Sequence, residues 1–89
     1  MTAPHIADTI AATLRADGWQ ERVGEFSKRI AGQAMPGTIC PDGARIVALR
    51  IDQGGRWLER IDAWGKVERY CDLREFQGRP RSAIASVMA

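Results

Sequence analysis

Histidine, tyrosine and cysteine are nearly missing from this 89-residue chain, which carries one, one and two of them. The lone histidine, His5, stands close to the start, where nothing can hold an imidazole in place. That excludes the Ser-His-Asp and Cys-His devices, which need a third group to fix the ring. His5 reads as a solvated residue at a helix start. Cys40 and Cys71 form no C-x-x-C pair and, with His5, give none of the short-range ligand spacings of a zinc site, so no metal is expected. No stretch of about 18 apolar residues is present to span a membrane. A basic-then-apolar leader is also missing. The expected setting is therefore the cytosol, with two free, partly buried thiols. Gly54-Gly55 and Asp42-Gly43 lack the lysine and helix start of a phosphate loop, so no cofactor is expected either.

Charge of one sign is lacking too. The 13 basic residues exceed the 11 acidic ones by only two. The excess sits in the second half, where 45–89 hold nine basic and six acidic groups. Eleven of the cations are arginine, a bias typical of GC-rich genomes, which suggests a bacterial, phage or plasmid origin.

What is present is periodicity. Ile6, Ile10 and Leu14 recur every four residues between Thr2-Pro4 and Asp17-Gly18, which predicts a helix over about 3–17 capped by Thr2 and closed by Gly18. Trp19, Val23, Phe26 and Ile30 follow at spacings of four, three and four, predicting a second helix over about 19–33. Residues 35–44 hold Pro36-Gly37 and Pro41-Asp42-Gly43 and read as a turn-rich linker. Beyond them the period becomes extended. Residues 45–74 predict a three-stranded antiparallel meander turning at Gly54-Gly55 and Gly65-Lys66. Two-residue loops would pair Ile51 with Leu58, Arg50 with Glu59, Asp62 with Arg69 and Trp64 with Val67. Ser82 caps a short final helix over about 82–88. No internal repeat is evident. The fold class is α+β, a single small domain with an N-terminal helical pair packed on the sheet and a short C-terminal helix at its edge.

That register sends Val47, Leu49, Ile51, Leu58, Trp64, Val67, Cys71 and Leu73 towards the helices. The expected core joins Ile10, Leu14, Val23, Phe26, Ile30, Leu49, Ile51, Leu58 and Leu73. The other face carries Ile46, Arg50, Trp57, Glu59, Ile61 and Tyr70, more apolar than a solvated face requires. Glu59, Asp62, Glu68 and Asp72 read as cross-strand ion partners rather than as a catalytic carboxylate pair. The leading expectation is a non-enzymatic protein-interaction module of the phage or plasmid accessory or inhibitor kind. Its interaction surface is Ile46, Arg50, Trp57, Glu59, Ile61 and Tyr70, its partner a protein, and a homodimer is expected. The alternative is nucleic-acid binding through Arg74, Arg79 and Arg81, since arginine interleaved with aromatics also suits single strands.

Overall fold

The computed structural model describes residues 5–30 and 45–89. The linker 35–44, Cys40, Thr2 and Pro4 lie outside them. The first helix, α1, spans Ile6–Ala16, and the imidazole Nδ1 of His5 accepts the Ala7 N–H at 3.1 Å. Asp8 sits in the first turn, where the helix dipole favours a carboxylate. At the other end Gly18 adopts φ 86°, the Trp19 N–H reaches the Leu14 carbonyl and the Gly18 N–H reaches that of Arg15. This paired closure reverses the chain and drops Trp19 into the core at 8% exposure.

The reversal ends the helical run, which corrects the expectation of a second helix over 19–33. The chain instead forms β1 (Gln20–Arg22) and β2 (Glu25–Ile30). Val23 and Gly24, with φ of 51° and 76°, make the tight turn between them. Both central residues lie at positive φ, as in the hairpin turns whose twist matches the strands. Phe26 and Ile30, four apart, share a strand face as readily as a helix face, and pairing of Phe26 with Leu49 settles which one forms. Val23, expected in the core, is fully exposed at this tip.

Three further strands follow, β3 (Arg45–Ile51), β4 (Trp57–Ile61) and β5 (Val67–Asp72). The sheet is a five-stranded antiparallel meander in the order β1-β2-β3-β4-β5 rather than three-stranded. The β3–β4 register is as expected, with Ile51 opposite Leu58 and Arg50 opposite Glu59. The β4–β5 register is not. Arg60 faces Arg69 and Ile61 faces Val67, with a bulge between.

Asp62 is the cause of that shift. Its carboxylate accepts the Trp64 and Lys66 N–H groups at 2.9 and 2.8 Å, closing a longer turn than Gly65-Lys66 alone. Asp52 does the same for Arg56 and Trp57, both at 2.7 Å. The two turns are copies. Ile51-Asp52-x-x-Gly55-Arg56 and Ile61-Asp62-x-x-Gly65-Lys66 repeat at ten residues, and Gly55 and Gly65 take φ of 71° and 81°. The chain therefore does contain an internal repeat.

After a 3-10 turn over Leu73–Phe76, helix α2 runs Pro80–Met88, starting on Pro80 rather than capped by Ser82. It lies beside α1 on the same sheet face and contributes Ala83 and Val87 to the core. There they join Ile6, Ile10, Leu14, Trp19, Phe26, Val47, Leu49, Leu58, Cys71 and Leu73. The helical layer is thus one helix from each end of the chain. No helix of the described residues is long and apolar enough to cross a membrane.

Candidate functional site, the open face of the sheet

Strand alternation puts every second side chain on the face opposite the helices. Following the observed register, that face carries Glu25, Ser27 and Arg29 on β2 and Ile46, Ala48 and Arg50 on β3. Trp57, Glu59 and Ile61 follow on β4, then Val67, Tyr70 and Asp72 on β5. Ile46, Arg50, Trp57, Glu59, Ile61 and Tyr70 therefore lie together on one surface. No described element packs on it.

Ile46 is 49% exposed, Val67 42% and Tyr70 64%. Trp57 is half-buried because its ring meets Tyr70 edge-on at 5.6 Å between centroids and the Arg56 guanidinium lies 4.6 Å over it. At the centre, Arg50 Nε donates to Glu59 Oε1 at 3.0 Å. Ile61 is only 5% exposed but belongs to this side, outside the cluster beneath the helices. It floors a groove of about 430 Å³ together with Ala48, walled by Ile46, Arg22 and Glu25. A shallower hollow of about 300 Å³ lies among Trp57, Glu59, Val67 and Tyr70.

Four residues of this region escaped the sequence. Arg22 and Glu25 belonged to the expected second helix. Val67 was expected on the side facing the helices, and the bulge turns it to the open side. Trp64, also expected there, projects from the Asp62 turn at 70% exposure. The ten-residue spacing of the two Asp-x-x-Gly turns was the signal that could have placed the last two.

Each carboxylate singled out in the sequence has a structural partner. Glu68 meets Arg60 at 3.0 Å, in place of the expected contact of Asp62 with Arg69. Asp72 accepts from Arg74 at 2.8 Å, and Arg56 approaches it at 3.3 Å. Arg74 foremost, through a charge-assisted hydrogen bond, holds the Asp72 carboxyl down at about 2. Backbone N–H donors, that of Trp57 first, lower the pKa of Asp52. Cys71 is buried with its Sγ towards the Ala83 carbonyl, and burial pushes the thiol pKa up.

Arg79 and Arg81 lie outside the strands of the open face, whereas Arg74 is tied to its β5 edge through Asp72. Arg74 is held by Asp72, Arg79 donates to the Glu75 carbonyl at 2.6 Å, and Arg81 meets Asp17 at 3.0 Å. No family model, curated protein or solved structure matches this chain, so the residues themselves carry the functional reading.

Proposed function

We propose that this protein is a non-enzymatic interaction module that works by docking its open sheet face against another protein surface. The observation that carries this reading is the cluster of Ile46, Trp57, Val67 and Tyr70 on adjacent strands, outside the core and beneath no described element. Such a patch covers a few hundred Å², roughly the size that marks interaction sites on small proteins. Tyr and Trp are favoured in such contacts because one side chain offers large apolar area and a polar tip. A cytosolic accessory or inhibitor protein of a bacterium, phage or plasmid suits the arginine bias.

The alternative, nucleic-acid binding through Arg74, Arg79 and Arg81, has less support. Each guanidinium is already engaged by a carboxylate or a carbonyl. Phosphate would have to displace those contacts.

Affinity capture separates the two. Wild-type bait is expected to retain a protein that Ile46→Asp and Tyr70→Asp baits lose, with a far weaker dependence on salt than phosphate contacts show. These positions are preferred to Ile61, where a carboxylate would be buried. Identical capture by all three baits would remove the open face from the account. Nucleic acid released steeply with salt would establish the alternative.

A further inference from the structure

The open face has an order of charge and size that reverses into its own complement. At the level of Arg50, cross-strand partners from β1 to β5 are Arg22, Glu25, Arg50, Glu59 and Tyr70. The sign alternates, plus, minus, plus, minus, and ends on a phenol. One step along the strands the partners are Gln20, Ser27, Ala48, Ile61 and Val67. Here small side chains on β2 and β3 give way to bulky ones on β4 and β5.

An alternating row matches a second copy of itself when it is reversed about a gap between two strands. Reversed about a strand, it sets like charge on like. A row graded from small to large also matches its own reverse. A two-fold, isologous contact performs this reversal, because whatever one residue meets in the partner meets it in return.

We infer that the occupant of the open face is a second copy of this chain, docked sheet to sheet about a two-fold axis running along the strands between β3 and β4. This rests on the reading of that face as a docking surface. The axis sets Arg50 against Glu59 of the partner subunit and Glu59 against Arg50 of the partner subunit. Four charges close into a square of opposite neighbours. Ser27 meets the exposed Val67 of the partner subunit, so a bulky side chain fills the space over a small one. The recessed Ala48 and Ile61 lie on the groove floor beside the axis. Glu25 meets the phenol of Tyr70 of the partner subunit, an acceptor facing a donor. Moving the axis to the gap between β2 and β3 keeps the charges matched but leaves Val67 and Tyr70 outside the contact. Apolar burial therefore decides between the two gaps. Two twisted sheets stack in this aligned way at about 10 Å.

Charge exchange tests the pairing. Arg50→Glu puts two carboxylates at the centre of the face and Glu59→Arg puts two guanidinium groups there. Each variant also breaks the ion pair within its own chain, so a variant alone proves little. The mixture is the informative sample. Sedimentation equilibrium should give twice the 9.8 kDa protomer mass for wild type. It should give the protomer mass for each variant alone, and twice that mass again for the equimolar mixture. The mixture's dissociation constant should lie within roughly tenfold of wild type, about 1.4 kcal/mol. Far-ultraviolet circular dichroism confirms that every sample is folded. A wild type that stays monomeric at high concentration overturns the second copy and leaves the face to a foreign protein. A dimer that survives in both single variants places the contact elsewhere and overturns the reading of the face itself. A wild-type dimer whose variants are monomeric alone and do not combine overturns the axis.

Discussion

The two faces of the sheet are made from the same strands, yet they have opposite fates. On one, Phe26, Val47, Leu49 and Leu58 are at most 2% exposed beneath α1 and α2. On the other, Ile46 and Tyr70 remain about half exposed or more, and a salt bridge sits in the middle. The covered face is apolar at its centre, as a surface that has to exclude water should be. It carries its charges at the C-terminal ends of the two helices, where Lys28 donates to the Asp17 carbonyl and Arg60, paired with Glu68, to that of Ala89. The open face alternates charge with apolar side chains, which costs stability in a core and gives register in an interface. The difference teaches that one face holds the fold, while the other keeps the side chains on which the docking proposal rests.

The largest expected effect is a contrast between faces. Phe26→Ala or Leu49→Ala should lose about 2–5 kcal/mol in denaturant unfolding, a large share of a marginal domain's stability. Ile46→Ala, on the same strand as Leu49, should lose less than about 1 kcal/mol in the monomer. Equal losses would erase the distinction between the faces.

The repeated turns offer a second contrast. At Gly55 a Cβ would stand 3.0 Å from His5 Cε1, whereas at Gly65 it meets nothing within 4 Å. Both sites require positive φ, so alanine costs about 1–2 kcal/mol of backbone strain at either. Gly55→Ala adds a clash with the cap of α1, so it should unfold at lower temperature than Gly65→Ala. Coincident melting curves would show that the two turns are mechanically alike.

Much of this was legible in the sequence, and the failures have specific causes. The four-residue stripe of α1 and its Gly18 closure lie within one stretch of chain, so local rules suffice. Phe26 and Ile30 satisfy helix and strand alike, and the choice depends on Leu49 and Val47 across a long separation. Val23-Gly24 lacks the usual Asn-Gly signature of a two-residue turn, so nothing local announced the hairpin. The open face survived an error in register for a reason of parity. The expected pairing of Arg69 with Asp62 is two residues from the observed one with Arg60, and a shift of two keeps each side chain on its face. Past the bulge the shift becomes odd, which is why Val67 changed sides. Asp62 looked like an ion partner because the turn-capping role it shares with Asp52 shows only when the two turns are compared.

Val23 sharpens the account of that first hairpin. A β-branched residue at φ 51° is strained, and this one is fully exposed, so it returns nothing in burial. Val23→Asn should stabilise the protein by about 0.5–1 kcal/mol, seen as a melting point a few degrees higher. An unchanged or lower melting point would mean that the side chain contributes a contact in solution.

The smallest effect is acidic. Asp72 is held at about 2 against an ordinary 3.8. A folded value below the unfolded one means that the contribution is complete above 3.8 and is lost as pH falls through about 2. Stability measured across that window should fall less steeply for Asp72→Asn than for wild type. Parallel curves would show that the Arg74 contact contributes no linkage.

The central claim is that the open face, and not the helical layer, is where this protein meets its partner copy. Isotope-filtered nuclear Overhauser spectroscopy on an equal mixture of labelled and unlabelled protein reads this directly, because only contacts between chains give signals. Docking about this axis gives cross-peaks between Val67 methyls of one chain and Ser27 of the other, with further peaks from Tyr70. Cross-peaks from the outer surfaces of α1 and α2 instead, or none at concentrations far above the expected dissociation constant, would contradict it.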